Sequence, residues 1–299
     1  MTAFTALIVN PTKVDDVDAL LSQVAAACTE HGADPPEALP TTEQDAGEGM
    51  AKEAVRRGAS LVLTAGGDGT VQAVACGLEG SDIPMGLLPM GTGNLLARNL
   101  DLPLQMDEAL TVALTGRDRR LDLGCATVGD RPASCFAVMA GVGFDAEMMA
   151  DAPEGLKSAV GWPAYVVSGL KHLRDKPQEV ELVLDGAEAL RRPARGVVVG
   201  NVGQLQGGVA LLPDAVPDDG MLDVVVLAPK KLLDWGRLLG RLVVRSSHQD
   251  ATLDRYTARS IEIRSDEPMQ SQLDGEPLEA VRSVTVEIHP SVLVVRVRP

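Results

Sequence analysis

Aromatic residues are scarce in this chain. Phe, Trp and Tyr account for 2% of its 299 residues, whereas 45% of the residues are hydrophobic. Any core must therefore be built from aliphatic side chains such as Val, Leu and Ala. The hydrophobic content is ample for packed domains and excludes an intrinsically disordered chain. Because the chain is longer than a typical single domain, we expect two domains.

Cysteine pairs, basic charge and long apolar runs are also limited. The four cysteines form no CxxC pair, so the sequence contains no zinc-ribbon pattern. A net charge of −15 argues against nucleic acid as a partner, because nucleic-acid binding depends on Lys and Arg. No apolar run reaches the roughly 18 residues of a membrane span, and no signal-peptide pattern is evident. We therefore expect a cytoplasmic protein without a transmembrane segment.

Strand-like and helix-like segments alternate in the first part of the chain. This alternation predicts βαβ units, and hence an α/β domain with a parallel, Rossmann-like sheet. Strands are predicted at 5–9, 61–65 and 83–89, and helices at 14–30, 47–58, 71–78, 95–99 and 106–114.

The pattern changes after residue 121. Short segments rich in Val and Leu follow one another, separated by turn residues, and predict a β-rich sandwich or barrel. These strands are predicted at 133–139, 179–184, 196–200, 222–227, 260–264, 283–288 and 292–297, with helical interruptions at 156–173 and 230–245.

Two glycine-rich loops each follow an apolar strand and precede a helical segment. They read GGDGT at 66–70 and PMGTGN at 89–94. In a parallel sheet both loops can lie at the carboxyl edge, where ligands of open α/β sheets bind. Glycines let backbone N–H groups approach a phosphate, although a single glycine turn is equally often a tight connection. Neither loop matches the P-loop or the dinucleotide fingerprint.

In combination, these loops resemble those of the diacylglycerol kinase-type lipid kinases, which include sphingosine kinases. The motifs IVNP at 8–11, LDLG at 121–124, AGVGFDAEM at 140–148 and LDGE at 273–276 occur in the order of that family. The resemblance covers most of the chain. GGDGT alone is shared with NAD kinases and, loosely, with phosphofructokinases, so the combination carries the assignment.

The resemblance implies a nucleotide-binding domain at 1–122 and a β-sandwich lipid domain at 123–299, whose last strand could return to the first domain. It also implies phosphorylation of a lipid hydroxyl that depends on ATP and Mg²⁺, with diacylglycerol as the favoured acceptor. By matched position the nucleotide contacts are Asn10, Pro11, Thr12, Lys13, Val14, Thr42, Gly66, Gly67, Asp68, Gly69, Thr70, Val71, Gln72, Ala73, Gly91, Thr92 and Asn94. Thr41 is an alternative to its neighbour Thr42.

Carboxylates supply the remaining expected chemistry. Asp68, placed among glycines, is expected to bind Mg²⁺, which typically takes one or two carboxylates together with phosphate oxygens. Asp122 is the candidate second member of this metal site. The resemblance singles out Glu276 as the base that accepts the hydroxyl proton, with Asp274 either supporting the metal or orienting the turn. Without the resemblance, Asp-Gly at 274–275 is an ordinary hairpin signal.

A further acidic turn at 213–221 has the hard oxygen ligands that a cation prefers. Family position implies a structural cation bound by Asp219 and by the carbonyl groups of Val216 and Met221. A solvated turn is the equally weighted alternative.

Two segments could contact a membrane that carries the substrate. The stretch at 230–245 is basic and amphipathic, and the apolar stretch at 160–173 contains Trp162 and Tyr165. Each could instead be a helix that packs on the core. We therefore expect the protein to associate peripherally and transiently with a lipid surface. A homodimer is possible, and the sequence does not decide the oligomeric state.

Three alternatives to diacylglycerol as the acceptor are a sphingoid base, phosphatidylglycerol and NAD. The residues around GGDGT and GTGN favour a lipid over NAD. An alternative of another class is a catalytically silent lipid- or nucleotide-binding regulator, against which the presence of Asp68, Asp122 and Glu276 argues.

Overall fold

The computed structural model describes residues 4–143, 177–205, 210–228 and 253–299. The chain divides into two compact units, one built from the residues up to Leu123 together with Pro290–Pro299, the other from Gly124–His289. The segments predicted to be helical at 156–173 and 230–245 lie outside the described residues. Within the described ranges, no helix combines the length and the apolarity needed to cross a membrane.

The first unit contains a parallel sheet, which confirms the predicted α/β domain. Its strands β1 (Thr5–Val9), β2 (Pro36–Pro40), β3 (Leu61–Gly66) and β4 (Met85–Pro89) lie in the order β4-β3-β1-β2. The connecting helices are α1 (Val17–His31), α2 (Glu48–Arg57), α3 (Asp68–Leu78), α4 (Leu95–Asn99) and α5 (Met106–Thr115).

Strand β2 is absent from the sequence prediction. Its sequence, PEALP, contains two prolines and no strong apolar alternation, and the strand is only partly buried. It pairs with β1 and ends the strand order, so it is an edge strand. Prolines are tolerated at an edge because one side of the strand needs no hydrogen-bond donors.

Helix α1 illustrates how local signals set the helix bounds. The Asp16 carboxylate accepts a hydrogen bond from Ala19 N at 2.9 Å and caps the helix, which therefore begins three residues later than predicted. Gly32, with a φ of 66°, ends it. The buried positions Leu20, Val24 and Cys28 repeat every four residues and pack in one core cluster with strands β1 and β3.

The last residues of the chain complete the sheet of the first unit. Strand β14 (Glu276–Val297) begins in the second unit and ends in the first. Val295 pairs in parallel with Met85 of β4, and Val292 O accepts a hydrogen bond from Gly80 N at 2.8 Å. The strands predicted at 283–288 and 292–297 are thus parts of one long strand.

The second unit is β-rich, as predicted, and eight pairs of its described strands are antiparallel. Its strands are β5 (Arg117–Val128), which starts in the first unit, β6 (Ser134–Phe136), β7 (Met139–Val142), β8 (Gln178–Leu184), β9 (Leu190–Ala194), β10 (Gly196–Gly200), β11 (Leu222–Leu227), β12 (Leu253–Ala258), β13 (Ser260–Leu273) and the first part of β14.

Strand β13 organises this unit because it belongs to two sets of strands. Its first residues pair with β8, and its last three residues pair with β7, with a register irregularity between Arg264 and Met269. Such bulges bend a strand and let it change partners. Valine, leucine, isoleucine and alanine dominate the described part of this core, and the aromatic residue Phe136 is fully buried within it.

Candidate active site

The predicted nucleotide contacts of the first unit follow the ends of its parallel strands. Strands β1, β2, β3 and β4 end at Val9, Pro40, Gly66 and Pro89, and the segments 10–14, 41–42, 66–73 and 91–94 lie at or directly after these ends. Parallel strands end at one edge of a sheet, so the fold brings the four segments to that edge. The strand order reverses between β1 and β3, which is where open α/β sheets form a binding crevice.

Asn10 connects the first of these segments to the third. Its Nδ2 donates a hydrogen bond to Thr70 Oγ1 at 3.3 Å, and its backbone N donates to Ala65 O at 2.9 Å. Its Oδ1 accepts hydrogen bonds from the backbone N and the Oγ1 of Thr12, at 3.0 and 2.8 Å. The loop therefore has a defined conformation in which Pro11, Thr12 and Lys13 are exposed, while Val14 packs on the core.

The two glycine loops approach each other closely. A Cβ atom on Gly91 would lie 2.8 Å from Gly67 Cα, so a larger residue at 91 would force the loops apart. Asn94, with a φ of 48°, closes the second loop: its Oδ1 accepts from Gly91 N at 3.0 Å and its Nδ2 donates to Gly91 O at 2.7 Å. Asn94 thus shapes the loop, a role that the sequence did not indicate, while Thr92 is exposed.

Asp68 ties the first glycine loop to the second. Its Oδ2 accepts a hydrogen bond from Asn94 N at 3.1 Å, and its Oδ1 accepts one from Leu95 N at 2.6 Å. Both donors belong to the start of α4, so the carboxylate satisfies N–H groups that a helix leaves without an intrahelical acceptor. The interaction was not predicted, because backbone donors have no signature in the sequence.

The start of α3 is suited to an anion. Helix α3 begins at Asp68, directly after Gly67, and no side chain among the described residues caps it. The N–H groups of its first turn lack intrahelical acceptors, and the helix dipole places positive potential there. These are the features by which helix N-termini bind phosphate groups. Val71, Gln72 and Ala73 follow in the next turn and are half-buried.

The structure distinguishes between the adjacent threonines after β2. Thr41 is buried and its backbone N donates to Val9 O at 2.8 Å. Thr42 is exposed, and its Oγ1 accepts a hydrogen bond from Asp45 N at 3.1 Å. Thr42 therefore has the more accessible side chain of the two, and its contact with the nucleotide stays a prediction.

Asp122 is buried near the end of the first unit's continuous segment. It is 1% exposed, and its Oδ1 accepts a hydrogen bond from Ser291 N at 2.7 Å. The carboxylate thus holds the returning C-terminal segment, where Ser291 has a φ of 56°. Among the residues that the structure describes, no three His, Cys, Asp or Glu side chains cluster as metal ligands. The role of Asp122 at a metal site stays a prediction.

Asp274 and Glu276 lie on one tight turn of the second unit. Leu273 pairs with Glu276 across a two-residue connection, in which Asp274 and Gly275 have φ values of 46° and 91°. Two consecutive left-handed residues are the mark of a type I′ hairpin turn, for which Asp-Gly is a preferred sequence. Asp274 is buried, with 5% of the residue exposed, whereas Glu276 is exposed.

The acidic turn after β10 carries the predicted structural cation ligands. Asp219 Oδ1 accepts a hydrogen bond from Met221 N at 2.9 Å, and Val216 is 42% exposed. Burial, together with the negative charges of Asp219 and Asp214, raises the pKa of the Asp223 carboxyl to about 6. The turn is therefore a region of concentrated negative charge.

Comparison with known proteins places this chain in a family. The diacylglycerol kinase catalytic domain model matches residues 5–126, and the YegS C-terminal NAD kinase beta sandwich-like domain model matches residues 137–297. The chain is 31% identical over 255 residues to the probable lipid kinase YegS of Shigella dysenteriae, covering 83% of this chain and 81% of the relative. It is 32% identical over 264 residues to the YegS-like probable lipid kinase of Yersinia enterocolitica, covering 87% and 86%.

Solved structures agree in fold. The crystal structure of a putative diacylglycerol kinase from Bacillus anthracis superposes with a TM-score of 0.83 at 22% identity, covering 100% of this chain and 96% of that one. An NAD kinase from Archaeoglobus fulgidus, solved in complex with ATP, gives a TM-score of 0.55 at 13% identity, covering 98% and 93%. The sequence matches, supported by this shared fold, show that the chain is a kinase of the diacylglycerol kinase family, with the C-terminal domain of the YegS-type lipid kinases.

Proposed function

We propose that this kinase transfers the γ-phosphate of ATP to a hydroxyl group of diacylglycerol and so forms phosphatidic acid. The observation that carries the proposal is the meeting of three strand-end segments at the edge of the parallel sheet. There Asn10 bonds to Thr70, and the Cα atoms of Gly67 and Gly91 face each other too closely for a side chain at 91. Residues 1–122 would bind the nucleotide and residues 123–299 the lipid.

The first turn of α3 provides the proposed phosphate site. The N–H groups at 67–70 have no intrahelical acceptors and lie beside a loop that contains two further glycines. Lys13 is exposed on the neighbouring loop and could add positive charge. Thr12, Thr42 and Thr92 are also exposed and offer hydroxyl groups to the nucleotide.

Asp68 and Asp122 are the proposed ligands of Mg²⁺, directly or through water. Their hard carboxylate oxygens fit this cation, which needs only one or two carboxylates when phosphate oxygens and water complete its shell. A carboxylate has about four acceptor positions, and the hydrogen bonds described for Asp68 use two of them. The bound cation would neutralise charge on the phosphate oxygens during transfer.

Glu276 is the proposed base. When the lipid hydroxyl oxygen bonds to the γ-phosphorus and the bond from phosphorus to the bridging oxygen of ADP breaks, the hydroxyl proton passes to the Glu276 carboxylate. The residue is exposed at the first position of β14 and is therefore accessible to an acceptor. The enzyme would meet its lipid by peripheral association with the cytoplasmic membrane surface. We also propose that Asp219, with the carbonyl groups of Val216 and Met221, holds a structural cation.

Transfer of labelled γ-phosphate from ATP–Mg²⁺ tests the proposal. Mixed micelles would present diacylglycerol, sphingosine or phosphatidylglycerol, and NAD would be supplied in solution. We expect label in phosphatidic acid, its loss in Glu276→Gln, and its retention in Glu279→Gln. Glu279 is a matched control because it is an exposed glutamate on the same strand.

Other outcomes would contradict parts of the proposal. Label in another lipid would replace diacylglycerol as the acceptor, and label in NAD would overturn the lipid assignment. ATP binding without transfer to any acceptor would favour a silent regulator. Full transfer by Glu276→Gln would remove Glu276 from the role of base.

A further inference from the structure

We propose that Asp274 is a positioning residue. Its buried carboxylate accepts hydrogen bonds from three consecutive backbone N–H groups and thereby fixes the turn that carries Glu276. The three donors, which we call the amide clasp, are Ala137 and Val138 in the connection from β6 to β7, and Met139, the first residue of β7. The inference rests on the proposed role of Glu276 as the base.

The contacts of the clasp are short and reciprocal. Asp274 Oδ2 accepts a hydrogen bond from Ala137 N at 2.9 Å, and Oδ1 accepts from Val138 N at 3.0 Å and Met139 N at 2.7 Å. In the opposite direction, Asp274 N donates to Met139 O at 2.8 Å. Main chain and side chain of Asp274 therefore hold the same segment.

The backbone carbonyl groups of the amide clasp also accept hydrogen bonds. Asn201 N donates to Val138 O at 3.0 Å, and Asn201 Nδ2 lies 3.5 Å from Ala137 O. Asn201 is itself buried and follows β10. The segment that binds Asp274 is thus fixed by a neighbouring strand end, so it can serve as a rigid support for the turn.

Because Asp274 is buried, its carboxylate depends on these hydrogen bonds. Asp274 is 5% exposed, and the three donor residues are 2% to 5% exposed. An ionised carboxylate in such surroundings is tolerated only when hydrogen bonds compensate for its lost hydration. The three N–H groups occupy three of about four acceptor positions. Of the two predicted roles for Asp274, metal support and turn orientation, the structure favours orientation.

A short backbone segment of defined conformation connects Asp274 to Glu276. Only Gly275 separates the two residues, and its N donates to Gln272 Oε1 at 2.8 Å. Both turn residues have left-handed φ values, and Glu276 pairs with Leu273 immediately afterwards. A fixed Asp274 therefore fixes the Cα of Glu276, and catalysis is sensitive to displacements of about 1 Å.

Asp185 offers a matched control in the same unit. It also precedes a glycine, has a φ of 51°, and accepts hydrogen bonds through Oδ1 from Arg259 N at 2.8 Å and Ser260 N at 2.9 Å. Unlike Asp274, it is exposed and stands at a turn without a candidate base. Asparagine keeps the preference for a left-handed turn at either position but removes the charge and one acceptor oxygen.

The experiment compares the full-length wild type with Asp274→Asn, Asp185→Asn and Glu276→Gln. Steady-state transfer to diacylglycerol gives kcat and the KM for ATP, and amide hydrogen exchange reports on 137–139. For Asp274→Asn we expect kcat about 10- to 100-fold lower, an unchanged KM for ATP, and faster exchange at 137–139. For Asp185→Asn we expect kcat within about twofold of the wild type, because surface changes away from a site are nearly neutral.

The outcomes separate this inference from the proposed function. A wild-type kcat in Asp274→Asn, or unchanged exchange at 137–139, overturns the positioning role. If Glu276→Gln is inactive in the same experiment, the proposed function is unaffected by that result. A fully active Glu276→Gln overturns the proposed base and the positioning role with it. If Asp274→Asn does not fold, Gly275→Ala serves instead, since alanine strains the turn at a φ of 91° and leaves the carboxylate in place. Wild-type kcat in Gly275→Ala would overturn the inference equally.

Discussion

Asn10 Nδ2 donates a hydrogen bond to Thr70 Oγ1 across the position where the order of the parallel strands reverses. Asn10 follows β1, and Thr70 lies in the first turn of α3, after β3. The contact therefore couples the loop with the exposed Lys13 to the helix end that is proposed to hold phosphate. Thr70, which carries the acceptor hydroxyl, is 4% exposed, so this hydroxyl is shielded from water.

Replacing Thr70 tests this coupling. Thr70→Val has nearly the same shape but leaves Asn10 Nδ2 without this acceptor, whereas Thr70→Ser keeps the hydroxyl. We expect Thr70→Val to lose about 1 kcal/mol of stability and to raise the KM for ATP about fivefold, by the usual net value of one hydrogen bond. Thr70→Ser should stay close to the wild type. Equal effects of the two variants, in denaturant unfolding and in kinetics, would show that the hydroxyl is not the coupling group.

Asp68 should stabilise the first unit even without nucleotide or metal. Asp68→Ala removes the acceptor of both Asn94 N and Leu95 N. We expect a loss of about 1–3 kcal/mol in the free energy of unfolding, because partly buried donors lose their partners. Asp68→Asn, which retains one acceptor oxygen, should lie between Asp68→Ala and the wild type. Urea unfolding in the presence of a chelator measures this, and an Asp68→Ala variant of wild-type stability would contradict it.

Because the two glycine loops lie close together, a side chain at position 91 should destabilise the protein. In Gly91→Ala the new Cβ would meet Gly67 Cα at 2.8 Å, and neither partner is a flexible side chain. We expect a loss of about 1–3 kcal/mol of stability from overpacking, together with weaker binding of ATP. Gly67→Ala is the matched control for stability, since its Cβ would lie 3.7 Å from Gly91 Cα, an ordinary contact. The measurements are thermal unfolding and nucleotide titration, and equal stability losses would refute the steric explanation.

Asp223 should make stability depend on pH. Its pKa is raised from 3.8 to about 6, chiefly by burial and also by Asp219 and Asp214. Between these values the unfolded chain loses the proton while the folded protein retains it, so stability falls as the pH rises through this window. Asp223→Asn should therefore be more stable than the wild type above pH 6, by about 1 kcal/mol after allowance for partial exposure, and should gain nothing at pH 3.5.

Urea unfolding with a chelator at pH 3.5 and 7.5 measures the effect of Asp223→Asn. Asp130→Asn, at an exposed carboxyl elsewhere in the second unit, is the control and should change little at either pH. A difference between Asp223→Asn and the wild type that is the same at both pH values would contradict the assignment.

Much of the fold follows from the sequence because the signals are local. Apolar runs followed by glycine turns predicted β3 and β4, and the change of pattern after residue 121 predicted the β-rich unit. The prediction missed β5, β9 and β12, and the single strand predicted at 133–139 is divided into β6 and β7. Two further differences have clear physical causes. The edge strand β2 carries prolines that a central strand would exclude. The start of α1 is set by the Asp16 cap, which outweighs the apolar character of the preceding Val14.

The place of the candidate site was more predictable than its internal contacts. Loops that follow parallel strands must meet at one edge, so the convergence of the glycine loops could be anticipated. The donors to Asp68, Asp122 and Asp274 are backbone N–H groups at Leu95, Ser291 and Met139, among others. Every residue except proline has such a group, so no residue type in the sequence marks these partners.

Strand β14 has a consequence for how the protein is made. The first unit contains Pro290–Pro299 as well as the residues up to Leu123, so it is discontinuous in the chain. During synthesis, β4 lacks its neighbour Val295 until the residues of the second unit have all been added. Domains often fold from the N-terminal end as they are made. Here the proposed nucleotide-binding unit cannot complete its sheet first, and the ribosome must deliver residues 290–299 before that unit is whole.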